Sequence, residues 1–271
     1  MNGRIPTRPA TLIAAILAAI GVLAMTAGAA SAETIYNNTP AHAKNLVSES
    51  FEATQTSEFG GLVKFAGAAR NSPLVTVTMS SWACGNLMGG AACQTSPGAS
   101  FTWPITLNVY DLGAGDEPGA KIASKTLAVS VPYRPSANNK RCHVTEEGVV
   151  GFTSECFNGK EFRVKFPLEG VTLPSEAIIS VAFNTSDYGA EPTHEPSVGE
   201  DSLNVGLTEP ASFTEPTPVP PSVGSDPLPE DTYVNSLYSL SYGGKGTVGT
   251  FSIAGEWTGF QPVFQVKAKS R

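Results

Sequence analysis

Four cysteines are the residues of this chain best placed for covalent chemistry. Eight residues separate Cys84 from Cys93, and thirteen separate Cys142 from Cys156. In an exported chain an even count reads as disulfides, and four cysteines allow three connectivities. The local pairing, Cys84–Cys93 and Cys142–Cys156, is favoured because each bridge would pinch a Gly-rich or polar segment between strand-like runs. Loops of that size are worth roughly 3 kcal/mol each by chain-entropy arithmetic. Zinc is the rival use. Neither pair has C-x-x-C spacing and only His143 lies close by, which argues against it.

Other chemistry is thinly supplied. The three histidines, His42, His143 and His194, fall in segments with little apolar character, and no H-E-x-x-H, G-x-S-x-G or Gly-rich phosphate loop is present. Twenty-four acidic residues could furnish the two facing carboxylates of a glycosidase, but no spacing singles out a pair. Asp187, Glu191, Glu200 and Asp201 supply hard oxygens for a weak structural calcium site, although Asp and Gly in such loops also simply make turns. Apart from that calcium, no cofactor is expected. Of the three tryptophans, Trp82 adjoins Cys84 and is expected to pack on that bridge, while Trp103 opens a strand. Trp257, in GEWTGF, is the candidate for stacking on a sugar ring, with core or rim packing the more usual fate of such a residue.

The elements that must position these residues are strands. Val75, Val77 and Met79 alternate with Thr76, Thr78 and Ser80; Ile105, Leu107 and Val109 alternate with Thr106, Asn108 and Tyr110. Phe162, Val164, Phe166 and Leu168 repeat the pattern, and Val63 and Phe65 begin it. Strict alternation of β-branched and aromatic residues marks half-buried antiparallel strands. Weaker runs at 125–131, 177–184, 202–207, 232–240, 249–255 and 262–268 bring the expectation to about ten strands, with no convincing helical period. The fold class predicted is all-β, an antiparallel, jelly-roll-like β-sandwich in which strands 59–67 and 262–268 lie side by side.

Residues 185–201 read as a polar, acidic loop, and 33–50 as a loose lead-in. Residues 210–229 hold seven prolines, which favour an extended course and exclude ladder positions. The forty-two residues that follow are too few for a good independent fold. A connection across the sandwich, with 230–268 completing the sheets, is therefore expected, giving one domain over 33–271.

The N-terminus sets the compartment. Arg4 and Arg8 precede an apolar run ending at Met25, and Ala30-Ser31-Ala32 stands before Glu33. That order is a secretory signal peptide, residues 1–32, with an A-x-A cleavage site. The run is short of the ~20 residues of a spanning helix. Removing Arg4 and Arg8 leaves 15 basic against 24 acidic residues. A balance that acidic, with its bases scattered, offers no footprint for nucleic acid or for anionic membrane. The mature product is expected to be secreted and free of the membrane.

Several phrases together, SEFGGLVKFAGAAR at 57–70, LVTVTMSSWAC at 74–84, PITLNVYDLGAGDEPGAKIA at 104–123, VPYRPSA at 131–137, CFNGKEFRVKFPL at 156–168, AFNTSDYG at 182–189 and DSLNVGL at 201–207, carry a resemblance. The chain resembles a family of bacterial secreted β-rich proteins of unknown function, over most of its mature length. The resemblance implies export and one β-rich domain, and brings no catalytic or binding residues with it. The expectation is a secreted, non-enzymatic protein that binds an extracellular polysaccharide or other polymer, or a surface protein. A carbohydrate-active enzyme on a jelly-roll scaffold and a structural component of an envelope or matrix are the alternatives.

Overall fold

The computed structural model of the chain describes residues 1, 3, 31–41, 46–88, 92–138, 158–189, 191–196, 199–212, 214–236, 249–255 and 257–270. Cys142, Cys156, His42, His143 and nearly all of the 1–32 leader lie outside the described residues.

Among the described residues twelve strands form two antiparallel sheets of six. The first contains β1 (Glu33–Asn37), β2 (Ser48–Ser50), β4 (Asn71–Ser81), β7 (Lys160–Pro167), β9 (Leu203–Gly206) and β12 (Phe264–Lys269). The second runs β11 (Ser252–Ala254), β10 (Thr232–Ser236), β3 (Thr56–Lys64), β8 (Glu176–Ala182), β5 (Ser100–Leu112), β6 (Pro118–Pro132). In the first sheet β7 pairs along residues 74–81 of β4, while β12 takes 71–77 and β9 takes 79–81. Since the two stretches together overlap β7's, β12 and β9 share the opposite edge of β4, end to end. β1 then flanks β12 and β2 flanks β9.

Alternation along the strands explains why one core is shared. Val75, Val77 and Met79 sit opposite Phe166, Val164 and Phe162 in register, and Phe264 and Val266 oppose Val77 and Val75 from the other side. The second sheet presents Phe59, Val63, Ile105, Leu107, Val109, Ile179 and Val181, and all belong to one buried cluster with the residues of the first sheet. Removing such apolar surface from water is the main force holding two sheets together.

Three features depart from the sequence reading. The lead-in contains two strands, β1 and β2, which raises the count among the described residues to twelve. Strand β3 does not lie beside β12. It belongs to the second sheet, while β12 pairs with β1 and β4, so the last strand meets the first true strand instead. A four-residue helix, α1 (Phe51–Thr54), follows β2, with the Ser50 hydroxyl accepting from the Ala53 N–H at 3.4 Å. One turn is too short to leave a periodic signal, and its Phe51 ring stacks on Phe183 at 3.9 Å.

The second sheet also buries part of its outer face. Leu62, Ile178 and Tyr233 form a small cluster with Tyr110, Phe251 and Ile253 packed on it. The β5–β6 turn anchors there: the Tyr233 hydroxyl donates to the Asp116 carbonyl at 2.6 Å and the Ile253 N–H to Glu117 Oε2 at 3.2 Å.

Beyond β4 the chain is closed by a Cys84–Cys93 disulfide, Cα–Cα 5.6 Å, with both residues buried. There is no free cysteine among the described residues. Trp82, just before it, lies against Gly159, where a Cβ would come within 2.8 Å of the indole. A closed loop of this length predicts that the double variant Cys84→Ala/Cys93→Ala loses about 2–3 kcal/mol in urea denaturation, and an unchanged midpoint would show the loop to be restrained without the bridge.

Candidate functional site

The proline-rich segment roofs a recess in the molecule. Prolines cannot donate to a ladder, so attachment falls to the proline-free run Ser222 to Asp226, between Pro221 and Pro227. There the Asn37 N–H donates to the Val223 carbonyl at 3.0 Å and the Ser222 N–H donates to the Asn37 carbonyl at 2.8 Å. Two residues on, Lys64 N–H donates to the Ser225 carbonyl at 2.9 Å and Ser225 N–H returns the bond at 3.0 Å. Asn37 belongs to β1 of the first sheet and Lys64 to β3 of the second. The segment is thus a strap joining the two sheets, and Gly224 is the kink between its attachments.

Beneath and beside the strap lie two adjoining cavities. The first, of about 420 Å³, is lined by Tyr36, Asp226, Gln261, Pro218, Pro220 and Pro229 among others. The second, of about 440 Å³, is lined by Pro40, Leu46 and Glu209. Both share Asn38, Thr208, Val219 and Pro220, so Val219-Pro220 partitions one two-lobed cleft. Val219 is half exposed at 52%.

Most polar groups of this wall are committed to holding it rigid. Asn38 donates to the Pro262 carbonyl at 2.9 Å and accepts from the Phe264 N–H at 2.7 Å. The Thr208 hydroxyl donates to the Gly259 carbonyl at 2.6 Å and accepts from the Gln261 N–H at 2.9 Å. Gln261 in turn donates to the Asp231 carbonyl at 2.7 Å. Tyr36 and Asp226 stand out among the groups left for a ligand in the first lobe. The Tyr36 side chain is 2% exposed and its hydroxyl makes no hydrogen bond among the described residues. Asp226 is half-buried and accepts from the Leu228 N–H at 3.0 Å through Oδ1. Burial raises the Asp226 carboxyl to about 6, against a partial offset from that N–H. Burial also raises the Tyr36 phenol, and the charge of Asp226 adds to it. The pair is a neutral donor beside an acceptor for which no ion pair is formed among the described residues.

The residues singled out from sequence are elsewhere. Trp257 packs against the core, its ring tilted on Phe59 at 5.1 Å, two positions from the cavity residue Gly259. Trp103 is likewise set on the core, with its indole N–H donating to the Asn184 carbonyl at 2.9 Å. Glu200 and Asp201 serve the β8–β9 loop: Asp201 Oδ1 accepts from the Ser186 N–H at 2.8 Å and Glu200 Oε1 from the Ser186 hydroxyl at 3.0 Å. Glu191 contributes its backbone carbonyl, which accepts from the Asn184 amide at 2.8 Å. Asp187 faces Glu52 of α1, whose carboxyl is raised by burial first and then by the charges of Asp201 and Asp187. Among the described residues no group of three or more His, Cys, Asp or Glu side chains is arranged to hold a metal ion. No helix among them is long and apolar enough to cross a membrane.

Tyr36, Asp226 and Gln261 were not legible as a site, because they come from β1, the strap and the approach to β12. The density of prolines at 210–229 was the one available signal. The chain matches no family model, no curated protein and no solved structure.

Proposed function

We propose that this is a secreted, non-enzymatic binding protein, a jelly-roll-like β-sandwich that recognises an extracellular polysaccharide in the two-lobed cleft under its proline strap. The observation that carries the reading is the cleft itself. Each lobe falls within the roughly 300–1,000 Å³ of small-ligand sites, and apolar walls surround a few polar groups. The pyrrolidine rings offer apolar surface to the faces of a sugar, and the Tyr36 hydroxyl and Asp226 offer hydrogen bonds. Two adjoining lobes suit consecutive units of a chain.

Binding is favoured over hydrolysis by the placement of the acids. Asp226 is the carboxylate of one lobe and Glu209 that of the other, with Val219-Pro220 between them. Glycoside hydrolysis wants two carboxyls facing across one bond. Export is supported by the leader sequence, by the Cys84–Cys93 disulfide and by the resemblance to secreted β-rich bacterial proteins.

The test is an array of extracellular and cell-wall polysaccharides probed with the secreted, disulfide-intact protein, with and without calcium. Specific binding to one polymer class is the expected result. Silence across the array from demonstrably folded protein overturns the reading and moves the role to matrix structure or to a protein partner.

A further inference from the structure

The charges of the cleft select among polysaccharides. Asp226 lies half-buried among prolines, and among the described residues no lysine, arginine or histidine lines either lobe. A carboxylate in such surroundings is stabilised by a cation or by strong donors, and the protein supplies one backbone N–H. Beside it the Tyr36 hydroxyl is buried and uncommitted among the described residues. Glu209 repeats the negative charge in the second lobe, at the exposed rim. A ligand of hydroxyls alone would leave the half-buried Asp226 without a counter-charge among the described residues. A ligand carrying ammonium groups on an otherwise apolar ring would neutralise both carboxylates. The whole chain carries a formal charge of −7, which favours the approach of a polycation.

We infer that the cleft binds a linear amino-sugar polymer, with one protonated amine held by Asp226 and the Tyr36 hydroxyl and a second beside Glu209. The inference rests on the polysaccharide reading above and names the class of polymer. The bound units lie on either side of Val219-Pro220, and their ring faces rest on Pro218, Pro220 and Pro229.

The experiment is isothermal titration of the full protein at neutral pH and low salt with three probes: a β-1,4-linked glucosamine tetramer, its fully N-acetylated counterpart, and spermidine. The amine tetramer is expected to bind at least tenfold more tightly than the acetylated one and than spermidine. Asp226→Asn is expected to lower that affinity tenfold or more. Val219→Arg, at an exposed position that leaves the core untouched, is expected to abolish it by placing a cation in the partition. Retention of the wild-type melting temperature by Val219→Arg keeps the result independent of folding. Equal binding of the acetylated tetramer overturns the inference while leaving the polysaccharide reading intact. Spermidine binding as tightly as the tetramer overturns the sugar part of the assignment. Failure of all three probes overturns the inference, and the polysaccharide reading falls with it only if the array is also silent.

Discussion

Gly224→Val is expected to cost about 3 kcal/mol or more and to lower the melting temperature by roughly 6–12 °C, taking ligand binding with it. Gly224 has φ +78°, a left-handed conformation that costs an L-residue roughly 1–2 kcal/mol. A Cβ there would also stand 2.6 Å from the Lys64 carbonyl oxygen, 3.0 Å from Tyr36 Cδ2 and 3.1 Å from the Ile35 carbonyl oxygen. Two of these are backbone atoms of paired strands and cannot give. The strap must therefore release Asn37 or Lys64, and either release opens the wall around Tyr36 and Asp226. Gly170→Ala is the control, because Gly170 has φ +75° but nothing within 4 Å of its Cβ position. Thermal denaturation of the two variants separates backbone strain from collision. Equal losses would mean that the strap has no close approach at Gly224.

The second large effect is a pH dependence centred on Glu49. Its side chain is 6% exposed in β2, and one oxygen accepts from the Thr56 hydroxyl at a long 3.4 Å. Burial raises its carboxyl from 4.5 to about 7, against smaller opposing contributions from Thr54 and Thr56. The folded state thus holds the proton more tightly than the unfolded chain. The resulting stabilisation is fully present below about pH 4.5 and is lost as pH rises through about 7. At 1.36 kcal/mol per pKa unit, it approaches about 3 kcal/mol. Asp226 contributes with the same sign, lost as pH rises through about 6. Urea denaturation of wild type and Glu49→Gln at pH 5 and pH 8 isolates the Glu49 share. The variant is expected to lack most of the wild-type gain at pH 5. Parallel pH profiles would show Glu49 to be ionised and accommodated at both.

Strand β1 shows why its segment reads as a loose lead-in from sequence. In ETIYN the buried residues Ile35 and Tyr36 are adjacent, and alternation cannot mark adjacent residues as one face. The structure buries both through a register shift between Thr34 and Tyr36 against β12, an irregularity that only the partner strand imposes. Strand β2, SES, has no apolar residue at all. It is a strand because β9 offers an unpaired edge, with Glu49 opposite Val205. By contrast β4, β5 and β7 carry their burial pattern in their own residues, and each apolar set predicted for them lies in the shared core. The acidic loop at 185–201 was legible as a loop. That Glu200 and Asp201 serve it as acceptors for Ser186 follows from its path back to β9.

By itself the sequence determined the all-β class, most of the strands and their inward faces, and a proline-rich segment unable to join a ladder. These are local properties, set by side-chain period and by the missing N–H of proline. Tertiary structure alone decided which sheet each strand joins, that β12 closes on β1, and that the strap spans both sheets. It also brought Tyr36 and Asp226 together from 190 positions apart. Strand pairing depends on which edges are free when the sheets assemble, and a cleft depends on surfaces left uncovered once the core is filled, so neither is encoded in any short run of residues.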